Sequence, residues 1–467
     1  MRLFGNDVRT PDGWRRDVAI DVAPDGTIER VEADAKPEGA ERVAGPLVPG
    51  MTNLHSHAFQ RALAGRTGYA SGDGDSFWTW RHAMYSFLDR IDAEAFEAIA
   101  AQAYVEMLKA GYTSVAEFHY VHHDPQGNAY ADMAELAHRI VAAAGATGIA
   151  LTLLPVFYAH SDFGGAPPTP GQRRFVHTID SYAELIGTLA REAATAMWNV
   201  GVAPHSLRAV TPEELTSIIA LSPPRSPIHI HVAEQAREVA ACVAWSGIRP
   251  VEWLLDHAPV DARWCAVHAT HMTADETRRL ASSGAIAGLA PTTEADLGDG
   301  TFAARDYLAA LGAFGIGSDS NTCIDPYAEL RQLEWSQRLA HQARNVLAGV
   351  KLPVGEAIYA AAARGGAQAQ GRRAGEIVAG SRADLVVLDV RDPALAGQSV
   401  DVLLDAAVFG PCRAPARDVM TGGRWVVREG HHPNEDSVLA RYQSCLRRLV
   451  SLRRLSTFSS PACISRR

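Results

Sequence analysis

The order of hydrophobic and polar positions divides the chain into two kinds of segment. At both ends, short runs alternate apolar and polar residues and break at turn signals: "APDGTIERVEAD" and "LVPG" within the first 50 residues, "GEIVAGSRADLVVLDV" and "DVMTGGRWVVREG" near the far end. Such runs predict β structure at both ends. Between them, apolar strand-like pieces ("TSVAEFHY", "IALTLLPVFY", "NVGVAPHSL", "IHIHVAE", "WCAVHATHM", "AIAGLAPTT", "FGIGSDSN") alternate with Ala/Leu/Glu-rich helical stretches such as "AEAFEAIAAQAYVEMLKAG". That is the rhythm of a parallel sheet with crossover helices, and about eight repeats predict an α/β fold, a (β/α)8 TIM-type barrel. The expected division is a small β domain from residues 1–50 plus 375–432, a barrel over 51–374, and a C-terminal helix with a basic tail over 433–467.

Bulk properties narrow the function. At 467 residues and 47% hydrophobic, the chain is long enough for one large domain and a smaller one. No apolar run approaches the roughly 18–20 residues of a membrane span, and "MRLFGNDVRTPDGW" lacks the apolar core of a signal peptide. The expectation is a cytoplasmic protein with no membrane partner. Six scattered cysteines without CxxC spacing suit reduced thiols. A net charge of −9 opposes nucleic-acid binding, so an anionic substrate needs local arginines to hold it against the global field.

Polar residues gather where the predicted strands end. His55 and His57 close the first in "NLHSHAFQRAL", and their i, i+2 spacing on a strand presents two imidazoles to one side. Glu117 and His119 end the second; His205 stands in "APHS", His229 and His231 in "IHIHVAE", His268 in "VHATH" and Asp319 in "GSDSN". In a closed barrel the C-terminal strand ends surround one cavity, so these distant residues are expected to converge.

The pattern resembles the amidohydrolase superfamily, through "LHSH", "HIHVAE", "VHATH" and "GSDSN" on strands 1, 5, 6 and 8 and through the small split β-sandwich domain that "GEIVAGSRADLVVLD" resembles. Within it, the chain is similar to the formimidoylglutamate deiminases through "NLHSHAFQRALAG", "DSFWTWR", "EFHYVHH", "APHSLRAVT", "HIHVAEQ", "HATHM" and "GIGSDSN". Three imidazoles and a carboxylate, His55, His57, His231 and Asp319, are a ligand set for zinc, ahead of iron, manganese or cobalt. Some amidohydrolases bridge two metals with a carboxylated lysine. Here the only lysine between His57 and His231 is Lys109, in the helical "EMLKAG", so one zinc ion per chain is expected.

Beside a zinc-activated water, Glu234 is expected to shuttle protons. Asp319 is expected as ligand or proton acceptor, and the resemblance implies that His268 orients the nucleophile or stabilises charge. It also implies a small dicarboxylate substrate, N-formimino-L-glutamate, contacted by Gln60, Arg81, Tyr120, His205 and Arg208, and a homodimer. Arg61 and Arg66 are expected at the surface, His271 in a structural role, and the aromatics of "SFWTWRHAMYSF" in packing or a lid. A deaminase of guanine or an adenosine-like base is the alternative, and a catalytically silent scaffold a third reading; aromatic stacking would mark the former, lost metal ligands the latter. From Arg441 onward the chain holds seven arginines and no acid, which suits an amphipathic helix followed by a disordered tail.

Overall fold

The computed structural model describes residues 1–68, 75–349, 352–410 and 414–456. Two parallel sheets carry the middle of the chain. One holds Met51–Ser56, Tyr112–His119, Ala150–Phe157 and the short pieces Asn199–Val200 and Ala203–Pro204. The other holds Ile228–Val232, Trp264–His268, Ile286–Leu289 and Ala313–Ile316. Isolated parallel bridges join the two at both edges, Val202 to Ile228 and Ser206 to His231 on one side, Ser56 to Asp319 on the other. Helices fill each crossover, as the alternating rhythm requires.

Local chemistry starts and stops these elements. The helix Ala93–Ala110 begins where the Asp92 carboxylate accepts the Ala95 N–H (2.8 Å), meeting one of the donors a helix leaves open. It ends at Gly111, whose φ of 101° only glycine adopts at little cost, and the chain turns directly into Tyr112–His119. Thr273 and Glu276 form a reciprocal capping box at the start of Ala274–Ser282. Every residue of Tyr112–His119 and Ala150–Phe157 is buried, because helices cover one face of a parallel sheet and the interior packs against the other.

The two chain ends meet in one eight-stranded sheet. Arg2–Thr10 pairs with Gly13–Val22, and Leu47–Pro49 pairs with Leu385–Leu388, which links the early strands to Ala416–Thr421 and Arg424–Val427. This sheet buries a separate core that includes Leu3, Val18, Ile20, Leu385, Val387 and Met420. The basic C-terminal segment forms the helix Glu435–Ser456 against Ala93–Ala110. Its charges are partly used there: Glu435 pairs with Lys109 (2.5 Å), Arg441 with Glu97 (2.9 Å) and Arg448 with Asp92 (3.1 Å). Lys109 therefore sits on an outer helix, away from the histidines. The expected disordered tail beyond residue 456 lies outside the described residues, as do Cys412 and Cys463; Cys242, Cys265, Cys323 and Cys445 are free thiols. No helix among the described residues is long and apolar enough to cross a membrane.

The helix Val354–Ala369 packs onto the seam between the last and first parallel strands. A Cβ on Gly365 would lie within van der Waals overlap of the Phe314 carbonyl, and one on Gly366 would meet Thr52 Cβ at 2.9 Å. In an open helix, alanine would gain about 1 kcal/mol over glycine. Here overpacking wins, and Gly365→Ala is expected to destabilise the fold by roughly 1–3 kcal/mol. A thermal melt at or above that of the parent protein would contradict this account of the contact.

Candidate functional site

Parallel register sets the strand ends at one level: Ser56 lies opposite Glu117, Ser206 opposite His231, Val232 opposite His268, and Asp319 opposite Ser56. His55, His57 and His231 consequently converge. His55 Nε2 lies 3.2 Å from His57 Nε2 and 3.1 Å from His231 Nε2. The outer nitrogens settle the tautomers. His57 Nδ1 donates to the Phe118 carbonyl and His231 Nδ1 to the His205 carbonyl, each at 3.0 Å, which leaves a lone pair on each Nε2 aimed at the common point. Burial lowers the His57 pKa to about 3 and, with the neighbouring imidazoles, holds His55 and His231 well below the usual range. Neutral imidazoles with inward lone pairs fit a divalent cation. His55 Nδ1 departs from the pattern, being buried without a hydrogen-bond partner among the described residues.

Acids complete the centre on one side. Asp319 Oδ1 lies 3.3 Å from His57 Nε2 and 3.7 Å from His55 Nε2, and its Oδ2 lies 3.8 Å from His268 Nε2. Burial pushes the Asp319 carboxyl up to about 7, against the opposing pull of His268. Burial acts on His268 in the other direction, but Glu234, Glu294 and Asp319 outweigh it and raise its pKa to about 10. His268 Nε2 is 3.8 Å from Glu234 Oε1, while its Nδ1 lies 3.2 Å from Glu294 Oε1. Glu238 orients Glu234 from behind, its carboxylate accepting the N–H groups of Ala233 (3.2 Å) and Glu234 (3.1 Å). Neither Glu238 nor Glu294 was singled out in the sequence. Both stand in the first helical turn after a strand, where an acid ordinarily serves the helix end.

A cavity opens above this centre, lined by His57, Gln60, Arg81, Tyr120, His205, Arg208, His231, Glu234, His268 and Asp319, with His55 fully buried beside it. Gln60 donates to the Tyr120 hydroxyl (2.9 Å), and Tyr120 packs edge-on against His57 at 4.9 Å between ring centroids. Arg208 is 4% exposed, its Nε has no hydrogen-bond partner among the described residues, and the Glu234 carboxylate lies 4.0 Å away. Arg81 lies over the rings of Trp78 (4.4 Å) and Tyr85 (5.8 Å). The helix Phe77–Leu88 does more than pack: Phe77, Trp80, Met84 and Tyr85 face the cavity, joined by Tyr158 and Phe175, so the walls are more aromatic than expected.

Other candidates fall outside the cavity. His229 Nε2 bonds the Ala369 carbonyl (2.7 Å), and His271 Nε2 the Asp299 carbonyl (2.8 Å), the structural role expected for His271. Half-buried Arg61 pairs with Glu106 (2.8 Å), and half-buried Arg66 donates to the Ala62 carbonyl (3.0 Å). His119 is buried behind the site, with neither ring nitrogen hydrogen-bonded among the described residues. Ala233, His268, Asp319 and Asn321 all hold left-handed backbone, with φ from 43° to 66°. Such strain costs of order 1–3 kcal/mol per residue and persists where surrounding contacts over-determine the geometry.

Comparison with known proteins agrees with the geometry. The model of the amidohydrolase family matches residues 47–426. A formimidoylglutamate deiminase of Pseudomonas aeruginosa is 50% identical over 435 residues, covering 93% of this chain and 96% of its own. An 8-oxoguanine deaminase of the same organism is 26% identical, covering 87% of this chain and 88% of its own. Among solved structures, an amidohydrolase from Brucella melitensis superposes with a TM-score of 0.92 at 48% identity, covering 96% of this chain and 99% of its own. An adenosine deaminase from Xanthomonas campestris with bound zinc reaches 0.79 at 23% identity, over 96% and 98%, a likeness of fold.

The charge balance around His268 is open to test. Glu294→Gln removes one of the anions that raise its pKa, so the imidazole of the metal-free variant should titrate below its position in the parent protein. NMR titration of the His268 ring reads this directly. An unchanged pKa would leave Glu234 and Asp319 as the groups that hold the proton.

Proposed function

The chain belongs to the amidohydrolase family, and from that premise we propose that it hydrolyses N-formimino-L-glutamate to N-formyl-L-glutamate and ammonia with one zinc ion per chain. The observation that carries the reading is the pairing, in one cavity, of a three-imidazole cluster with Arg208, a buried guanidinium with an unused donor. In this reading the two bridged parallel sheets are one closed (β/α)8 barrel spanning residues 51–374, and the sheet of both chain ends, 1–50 plus 375–432, curls into a small β-sandwich. A cytoplasmic homodimer belongs to the same proposal.

His55, His57 and His231 would hold the metal, with Asp319 at its edge. A divalent ion bound there supplies Lewis acidity, lowering the pKa of a water toward about 7. The remaining work falls to the chain. Arg208 and Arg81 hold the two carboxylates, and Gln60, Tyr120 and His205 complete the wall on that side. This keeps the glutamate half away from the imidazoles and leaves the formimino group beside Glu234 and His268. Glu234 takes a proton from the attacking water and returns it to the terminal nitrogen. The carbon gains an oxygen, its bond to that nitrogen breaks, and ammonia leaves. Charged His268, anchored by Glu294, directs an N–H at the developing negative charge, and Asp319 accepts the second proton of the attacking water, whose delivery to the same nitrogen completes the departing ammonia.

The aromatic walls are what a purine deaminase would also use, but stacking a neutral base gives Arg208 no anion to meet. A silent scaffold would have lost metal ligands, and all of them are present. Assay of the purified protein with N-formimino-L-glutamate, with products followed by NMR, should show N-formyl-L-glutamate and ammonia. Formamide and glutamate as main products would overturn the assignment of the departing nitrogen, and no turnover by metal-loaded protein would overturn the substrate.

Arg208→Ala should weaken substrate binding by roughly 2–5 kcal/mol, the cost of truncating one partner of a desolvated charge pair, while leaving bound metal unchanged. Equal Michaelis constants for variant and parent would remove Arg208 from the anion site.

A further inference from the structure

Beneath the imidazole cluster, polar side chains form one continuous hydrogen-bonded chain across three strands. Asn53 Nδ2 donates to Ser318 Oγ (2.6 Å), and Asn53 Oδ1 accepts the Ser318 N–H (3.1 Å). Ser318 Oγ donates onward to Asn321 Oδ1 (2.6 Å). Asn321 Nδ2 donates to Ser56 Oγ (3.2 Å) and to the Asp319 carbonyl (3.0 Å). Ser56 Oγ donates to Glu117 Oε2 (2.9 Å), and Glu117 also accepts the Ala58 N–H at Oε1 (2.7 Å) and the Tyr104 hydroxyl at Oε2 (3.2 Å). Asn53, Ser56, Glu117, Ser318 and Asn321 are all at most 1% exposed.

A dry polar chain of this length is a poor device for stability alone, since an apolar core of equal volume escapes its desolvation cost. Its end points show another use. Glu117 grips the residues on either side of His57, through the Ser56 hydroxyl and the Ala58 N–H, while Asn321 grips the backbone of Asp319 and the same Ser56 hydroxyl. We propose that Asn53, Ser56, Glu117, Ser318 and Asn321 are positioning residues that fix His57 and Asp319 relative to each other and so set the affinity of the metal centre. This rests on the metal reading above. Among the described residues none of these five lines the cavity or hydrogen-bonds an imidazole nitrogen, and they act only through the two groups they hold.

The test measures zinc affinity by chelator competition, together with the rise in melting temperature that zinc confers on metal-free protein. Glu117→Ala and Asn321→Gly should bind zinc about 10- to 100-fold more weakly, the usual effect of removing a partner that orients a ligand, and the zinc-dependent rise in melting temperature should shrink. Glycine suits position 321 because it adopts the left-handed φ of 56° without strain. Glu117→Gln, which keeps an acceptor for the Ala58 N–H, should recover most of the affinity. Should Glu117→Ala fail to fold, Asn321→Gly and Ser56→Ala answer the same question. A merely structural network would lower the melting temperatures of zinc-loaded and metal-free protein equally and leave zinc affinity within twofold of the parent, overturning the proposal. His231→Ala separates the two readings: if it loses zinc while the network variants keep it, the metal centre stands and the network proposal falls. A parent protein that takes up no zinc overturns both.

Discussion

Two backbone hydrogen bonds at the seam between the last and first parallel strands hold the site together. The His57 N–H donates to the Asp319 carbonyl and the Asp319 N–H to the His55 carbonyl, each at 2.9 Å. They bind the residues that carry the imidazoles to the residue that carries the acid, and no neighbouring stretch of chain could do so, because the two strands lie at opposite ends of the parallel array in sequence. The helix Val354–Ala369, pressed close through its paired glycines, closes the outside of that seam. The left-handed backbone of Asp319 and Asn321 is a local consequence of meeting both demands.

Given the seam, the electrostatics follow from burial. One centre holds several imidazoles and acids that water does not reach freely, and the outcome depends on which groups share a proton. His55, His57 and His231 stay neutral because each has imidazole neighbours and a desolvated ring. His268, on the strand next to that of His231, is flanked by Glu234, Glu294 and Asp319 and is held charged. The same residue type thus takes opposite protonation states within one cavity, and the difference comes from neighbours rather than from depth of burial.

The chemistry of the walls divides along the same lines. Aromatic rings from the helix Phe77–Leu88 and from the strand ends give the cavity its shape, and Arg208 and Arg81 give it a sign. A protein with a net charge of −9 repels a dianion at a distance, so affinity must come from guanidinium groups held close and dry, where the local term outweighs the global one. Arg208 fits because its nearest acid, Glu234, stands at 4.0 Å and leaves its Nε without a partner among the described residues. Aromatic content therefore does not separate this site from that of a base deaminase; in the proposed reading the arginines do.

The sequence by itself determined the parallel α/β architecture, because strand and helix periods and turn signals are local properties of consecutive residues. It also determined the identities at the strand ends, since "LHSH", "HIHV", "VHATH" and "GSDSN" sit where parallel strands must end at a common level. What each of those residues does was decided only by tertiary structure. The Nε2 lone pairs of His57 and His231 are set by the Phe118 and His205 carbonyls, which belong to other strands. Glu294 looks in sequence like an ordinary first-turn acid, and only the pairing of neighbouring strands brings it to His268, whereas Glu238 reaches the N–H groups of Ala233 and Glu234 through a local turn. His119, a strand-end candidate of equal standing in sequence, is turned away from the cavity, as His229 is tied to Ala369. A linear pattern fixes which groups are available at a level of the fold; contacts between distant strands choose tautomer, charge and direction, because those depend on distances that no single segment contains.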